Sequence, residues 1–169
     1  MFQKGEYVYH ESGGICKIDE ICASPLSGMP ADRLYYVMKP IHDRNSINYV
    51  PVDSNGIFVR RLLDREAACA LLEQIPSIEP FCEPNAKQLR LKYLEAMRSH
   101  EPSEWVRVIR TVCTRMQGID GKAVRVSDSE RGFMEAAKRN LLAELTMALE
   151  EDAQQIECAL LRFAIAVEA

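Results

Sequence analysis

The chain has 169 residues, of which 47% are hydrophobic and 27% are charged, and its net charge is −4. These values are typical of a globular protein with one average domain or two small ones, and a net acidic charge does not favour strong binding to nucleic acid. No apolar run approaches the roughly 18–20 residues of a membrane span. The N-terminus also lacks the apolar stretch of a signal peptide, so we expect a cytoplasmic protein without a membrane partner.

The first part of the chain has the pattern of short β-strands. Five segments rich in Val, Ile and Tyr are separated by turn sequences such as ESGG and DSNG. The segments cover residues 6–10, 14–23, 33–40, 47–52 and 56–62. Five short strands that curl on themselves form a small half-open barrel, in which one strand edge usually remains exposed.

From Asp64 the spacing of apolar residues becomes helical, and Asp64 is a natural N-cap. The following stretch, residues 76–84, contains three prolines, which interrupt a helix and stiffen the chain. We therefore predict three regions, namely a β domain at 1–63, a short helix with a proline-rich linker at 64–84, and a helical domain at 85–169. The predicted fold class is α+β, with a small five-stranded SH3/Tudor-like β-barrel followed by an all-α C-terminal domain.

The helical domain has clear start signals. One helix is predicted after Pro84, and a second starts at Pro102, where the missing N–H costs nothing because it would be unpaired anyway. SDSE at 127–130 is a capping box for a long helix, and a final helix follows from about residue 151. On the helix from Pro102, Trp105 heads an apolar stripe with helical spacing, so the single tryptophan is predicted to be a core residue.

Basic residues are concentrated in the middle of the chain. Residues 86–122 carry eight basic side chains and four acidic ones, whereas residues 144–169 carry one basic and six acidic. Basic side chains that share a helix face could neutralise DNA phosphates without reading sequence. The alternative is an ordinary solvated helix face. The candidate phosphate contacts are Lys87, Arg90, Arg107, Arg110 and Arg115.

The sequence gives no sign of catalysis or of a bound cofactor. It contains no phosphate-binding loop, no dinucleotide fingerprint, no nucleophile elbow and no HExxH motif. The six cysteines form no C-x-x-C pair, and the three histidines are scattered. We therefore expect neither an enzyme nor a protein with a metal, a cofactor or a small-molecule substrate.

The order of the N-terminal motifs is distinctive. F-x-x-G-E-x-V at 2–8 is followed by GICKIDEI, YYVMKP, YVPV and GIFVRRL. This series resembles the RNA-polymerase-interacting domain of CarD-like bacterial transcription regulators, which transcription-repair coupling factors share. The helical half is similar in layout, and the chain lacks the helicase motors of coupling factors, so the short CarD-like regulators are favoured. The matching residues are Phe2, Gly5, Val8, Tyr9, Gly14, Ile15, Ile18, Tyr35, Tyr36, Val37, Val50, Pro51, Val52, Gly56 and Arg60.

The resemblance implies a mechanism without bond chemistry. The N-terminal module would bind the RNA polymerase β subunit, and the helical module would rest on promoter DNA near the upstream edge of the transcription bubble. Together these contacts would stabilise the open promoter complex, with the protein in the bacterial cytoplasm and associated with the nucleoid. The alternative is an adaptor that binds polymerase or another partner without touching DNA.

The strand SINYVPV is the predicted polymerase-contacting edge, since an exposed edge can accept a partner strand. The alternative is that this strand lies inside the barrel. The resemblance places contacts at Ile47, Tyr49 and Val50, with Pro51 limiting further pairing. Two basic residues could add charge to this contact, Arg33 and Arg44.

One branch of the family carries a DNA-wedging tryptophan at the start of the first long helix of the helical module. The corresponding position here is Ala86, which cannot wedge, and Phe81 is the nearest aromatic substitute in the linker.

Overall fold

The structure, a computed structural model, describes residues 1–23, 26–28, 30, 32–43, 45–54, 56–118 and 125–165. The chain divides into two compact units, Met1–Leu62 and Leu63–Ala169. The first unit contains strands and the second contains helices, so the predicted α+β class is confirmed at this level. Within the described residues, no helix has the length and apolar character needed to cross a membrane.

All five predicted strands are present in the first unit. They are β1 Tyr7–His10, β2 Gly14–Ala23, β3 Leu34–Pro40, β4 Asn48–Pro51 and β5 Val59–Arg61. Every pair is antiparallel, and the strand order is β4-β3-β2-β1-β5. β4 and β5 therefore lie at opposite ends of the sheet, so the described strands form a curled half-barrel that is not closed by hydrogen bonds.

Because side chains alternate between the two faces of a strand, every second residue points into the core of the sheet. A bulge in β2 between Ile18 and Glu20 shifts the register against β3, and bulges of this kind bend a strand and increase its twist. The Phe2 backbone N–H donates to the Tyr36 hydroxyl over 3.0 Å, which fixes the start of the chain against the curled sheet. The buried side chains that form this core are Val8, Cys16, Ile18, Tyr36, Met38 and Val50.

Among the residues that the structure describes, the second unit contains five helices. They are α1 Arg65–Gln74, α2 Ala86–Ser99, α3 Pro102–Gln117, α4 Asp128–Leu149 and α5 Ala153–Ile165, with a short 3-10 turn at Ile75–Ser77. The predicted start signals are confirmed. Asp64 accepts a hydrogen bond from the Ala67 N–H over 2.8 Å, Pro102 is the first residue of α3, and Ser127 and Glu130 form the capping box of α4.

The segment predicted as a separate helix and linker, residues 64–84, lies within the second unit. The Leu63 N–H donates to the buried Glu144 carboxylate over 2.7 Å, and the Phe81 N–H donates to the Thr111 hydroxyl over 2.9 Å. The prolines end the helix as expected, but the extended chain after them is held against α3. The helical unit therefore begins at Leu63 and not at residue 85.

Helix α3 is the centre of the second unit and is buried on most of its sides. Trp105 is fully buried, which confirms its predicted place in the core. Val108, Ile109 and Val112 are also fully buried, as the apolar stripe requires. The opposite side of the helix is covered too, because Thr111 is only 1% exposed.

The prediction that Arg110 lies on a solvent face and contacts DNA is wrong. Its side chain is 8% exposed, and its Nη1 donates to the carbonyl oxygens of Ile75 (2.9 Å), Ile78 (2.7 Å) and Pro76. These carbonyls belong to the 3-10 turn that follows α1 and to the residue after that turn, near a helix C-terminus where positive charge is favoured. The sequence pattern of α3 alone does not reveal that residues 75–81 cover this face.

We predict that Arg110→Met will lower the free energy of unfolding of the helical unit by about 3 kcal/mol, because several buried carbonyls would be deprived of a charged donor. Chemical denaturation followed by circular dichroism measures the change. Arg107→Met is the matched control, since Arg107 is only half-buried and its ion pair with Glu104 should contribute at most about 1 kcal/mol. Equal destabilisation by the two variants would contradict the role assigned to Arg110.

Candidate functional site

Strand β4 lies at an edge of the sheet, as predicted, and within the described residues it pairs only with β3. The Val52 N–H donates to the Leu34 carbonyl over 2.9 Å. Because hydrogen bonding alternates along an antiparallel pair, the backbone groups of Val50 then face β3, and those of Ile47 and Tyr49 face outward. The outward edge therefore offers the N–H and C=O groups of two residues.

The side chains of this strand divide between two faces. Val50 is 4% exposed and belongs to the core, so its predicted contact with a partner is wrong at the level of the side chain. Ile47 is 43% exposed, and Tyr49 and Pro51 are half-buried on the same face. Pro51 has no N–H, and its carbonyl accepts from the Ser54 N–H over 3.1 Å, so the free edge ends there.

Two arginines were proposed to add charge beside this strand, and the structure describes only one of them, Arg33. Arg33 is exposed and its Nε lies 3.8 Å from a carboxylate oxygen of Asp53, which is also exposed. Such a solvated pair is weak and leaves the guanidinium available to a partner. Arg44 lies outside the described residues. The sequence prediction missed Leu34, which is 47% exposed and forms the pair opposite Val52.

The second free edge, β5, is less open than β4. Its outward-facing residue Arg61 has its carbonyl bonded by the Arg60 guanidinium over 2.9 Å, and its side chain lies 3.5 Å from Glu6. The Arg60 guanidinium also lies over the Tyr9 ring at 4.8 Å. Charged side chains that cover an edge are a common protection against strand pairing, so β4 is the better candidate for partner binding.

Two more of the five cations proposed to contact DNA have partners inside the helical unit. Arg107 Nη1 lies 2.9 Å from Glu104, and its guanidinium lies over the Phe81 ring at 5.5 Å. Arg115 Nε lies 2.9 Å from Glu130, and this pair is largely shielded from solvent. With Arg110 buried, none of the three candidates on α3 carries a charge free of intramolecular partners.

The remaining candidates, Lys87 and Arg90, are exposed near the start of α2, and neither forms an ion pair within the described part of the chain. The sequence prediction missed two comparable residues, Arg125 and Arg131, which are also exposed and which have no ion pair among the described residues. They flank the capping box at 127–130, and this R-x-S-D-S-E-R spacing is the signal that could have found them. We name Lys87, Arg90, Arg125 and Arg131 the four-cation surface.

The four-cation surface surrounds the amino-terminal end of α4. Lys87 and Arg90 line a cleft of about 360 Å³ between the starts of α2 and α4, and Arg125 and Arg131 line a cleft of about 330 Å³ beside the same first turn. Helix amino termini carry partial positive charge and bind phosphate groups well. The arrangement therefore places cations around the amino-terminal end of α4.

Two acidic residues lie in the same region and reduce its positive charge. Asp128 is exposed and lines the second cleft with Arg131. Burial alone would raise the pKa of Glu130, but hydrogen bonds from Ser127 and the charge of Arg115 lower it, so this carboxylate is ionised and already bound. The surface retains an excess of positive charge.

The motifs and the strand order of the first unit can now be compared with known families. Residues 2–63 match the family model described as the CarD-like/TRCF RID domain. The first unit is therefore similar to a CarD-like/TRCF RID domain, and it is called the RID domain below. The resemblance inferred from the N-terminal motifs is thereby confirmed. RID domains of this family are known for interaction with RNA polymerase, which supports polymerase as a partner of this unit and a role related to transcription.

The match to the RID domain ends at residue 63, so the helical unit lies outside it. A search of curated proteins found no sequence match to the chain. Ala86, which the resemblance placed at the wedge position of one branch of the family, is exposed and lines the cleft beside Lys87. The suggested substitute Phe81 is half-buried, with Tyr93 at 6.1 Å and Lys92 at 6.0 Å from its ring, so its packing does not favour a wedge.

Metal binding was not expected from the sequence. In the part of the chain that the structure describes, no group of three or more His, Cys, Asp or Glu side chains is placed to hold a metal ion. Burial raises the pKa of Cys16 and of Cys113, which reduces the thiolate character that a soft metal requires.

We predict that Val50→Ala will lower the free energy of unfolding of the RID domain by about 2 kcal/mol, because a buried side chain is replaced by a cavity. Ile47→Ala on the same strand should change it by less than about 0.5 kcal/mol, since Ile47 is exposed. Urea denaturation with near-UV detection of the tyrosines measures both values. A comparable destabilisation at Ile47 would mean that its face is not free.

Proposed function

We propose that this protein is a non-catalytic bacterial transcription regulator of the nucleoid that binds the RNA polymerase β subunit and promoter DNA. In this proposal the RID domain adds a strand of the β subunit to β4. The helical unit rests on DNA near the upstream edge of the transcription bubble without reading sequence. Holding both partners together stabilises the open promoter complex, and no bond is made or broken.

The main support for the proposed contact with polymerase is the free edge of β4 in the RID domain. Outward backbone groups at Ile47 and Tyr49 provide main-chain hydrogen bonds for an added strand, and their side chains provide specificity. Arg33 lies at the same end of the sheet, where it could meet an acidic group of the partner. The covering of β5 by Arg60 and Arg61 supports the choice of β4.

We predict that Tyr49→Pro will weaken capture of the polymerase β subunit about fivefold, because one outward N–H is removed and a main-chain hydrogen bond contributes about 1 kcal/mol. Proline is tolerated on an edge strand where its nitrogen faces away from the sheet. Arg61→Pro is the matched control, since its nitrogen faces outward from β5. Surface plasmon resonance with immobilised β subunit measures both. A larger effect of Arg61→Pro would assign the contact to β5.

The main support for the proposed contact with DNA is the four-cation surface. Its side chains have no ion pair among the described residues. Phosphate contacts by Lys and Arg supply most of the affinity of non-specific DNA binding and make it dependent on salt. The helix ends of α2 and α4 beside these cations favour the same phosphates. This surface replaces the side of α3 on which Arg107, Arg110 and Arg115 were expected to act.

We predict that replacing all four residues of the four-cation surface by Gln will reduce the slope of log K against log salt by roughly three to four, about one for each phosphate that is no longer neutralised. The matched control is Arg107→Gln with Arg115→Gln, which removes cations that are already paired and should change the slope by less than about one. Fluorescence anisotropy with a promoter fragment at several salt concentrations measures the slopes. A greater effect of the control pair would assign the phosphate contacts to α3 instead of the four-cation surface.

A second candidate function is an adaptor that binds polymerase without DNA. It is favoured by the intramolecular partners of Arg107, Arg110 and Arg115, which leave fewer free cations than the sequence suggested. The same anisotropy series separates the two functions. Absence of salt-dependent binding by the unaltered protein would favour the adaptor.

A further inference from the structure

The cleft between the starts of α2 and α4 has features that phosphate binding alone does not need. Its volume of about 360 Å³ lies in the roughly 300–1,000 Å³ range of small-ligand sites. Ala86 and Leu89 line it on one helix, and Phe133 lines it on the other. Because position 86 carries only a methyl group, the mouth of the cleft is not filled by a side chain from α2.

The floor of the cleft is aromatic. Tyr93 is fully buried, and its ring lies 5.5 Å from that of Phe133 at an interplanar angle of 38°. In the part of the chain that the structure describes, the Tyr93 hydroxyl has no hydrogen-bond partner. Burial raises the pKa of Tyr93, and the nearby charge of Glu130 raises it further, so the hydroxyl stays protonated.

The rim of the cleft is cationic, since Lys87 and Arg90 line it, are exposed and have no ion pair among the described residues. An aromatic floor below two free cations matches the two parts of a nucleotide, a flat base and an anionic phosphate. Stacking of a base on an aromatic side chain contributes about 1–3 kcal/mol, and this contribution is available only to a base that is not held in a duplex stack.

We propose that this cleft binds one unpaired nucleotide of a DNA strand. The base lies against Phe133, and the phosphate is bound by Lys87 and Arg90. The inference rests on the proposed DNA-binding function and adds a preference for unpaired over paired DNA. A peptide segment is the competing occupant, but the cationic rim favours an anionic ligand.

The test compares two exposed serines that occupy the same position, the second residue of a helix. Ser129 lines the cleft at the start of α4, and Ser103 lies at the start of α3 away from it. Ser129→Trp should fill the cleft, whereas Ser103→Trp places the same bulk elsewhere. Binding of the full chain to a short single strand and to a duplex of the same sequence is measured at one fixed salt concentration.

The unaltered protein and Ser103→Trp should bind the single strand about tenfold more tightly than the duplex, as one stacked base would produce. Ser129→Trp should lose this preference and keep its duplex affinity. A single strand that carries 2-aminopurine should lose fluorescence on binding to the unaltered protein and retain it with Ser129→Trp or Phe133→Leu.

The failures of this proposal and of the DNA-binding function are distinguishable. Salt-dependent duplex binding without preference for the single strand would overturn only the nucleotide site. Binding to neither DNA would overturn both. Unchanged DNA preference combined with weaker polymerase capture by Ser129→Trp would assign the cleft to a protein segment and overturn the nucleotide site.

Discussion

The burial of α3 on most of its sides is the constraint on which the helical unit depends. A helix with apolar residues on one stripe and arginines on the other would normally leave the arginines in water. Here the end of α1 and the proline-rich chain after it cover the second side, and Arg110 donates to the carbonyls of Ile75 and Ile78 in this covering segment. Burial of a polar group requires such compensation.

The RID domain meets a comparable constraint at its two strand edges. A curled five-stranded sheet that does not close leaves both outer strands with backbone groups in need of partners. On β5 the side chains of the strand itself provide cover, through Arg60 and its bond to the Arg61 carbonyl. On β4 no such cover is present in the described residues, and only Pro51 and the turn after it limit the open stretch. This difference distinguishes a surface for binding from one that is protected.

Local sequence signals predicted the secondary structure closely because they depend on neighbouring residues. The five strands, the Asp64 cap, the Pro102 start and the Ser127 capping box are all fixed by short-range chemistry. The edge position of β4 was also anticipated. The exposure of individual charges was not, because it depends on which distant segment covers a helix face. Arg110 was misjudged for that reason, and Val50 because the face of an edge strand depends on its pairing register.

The short open stretch of β4 has a consequence for how long the protein could stay on its target. Two outward residues can form only a few main-chain bonds, each worth about 1 kcal/mol net, so strand addition alone would give a brief contact. Non-specific phosphate contacts are similarly short-lived at physiological salt. Because the two units are covalently linked, engagement of one raises the effective concentration of the other. The protein would then stay bound for long only where polymerase and DNA are both present. It would dissociate when either partner dissociates.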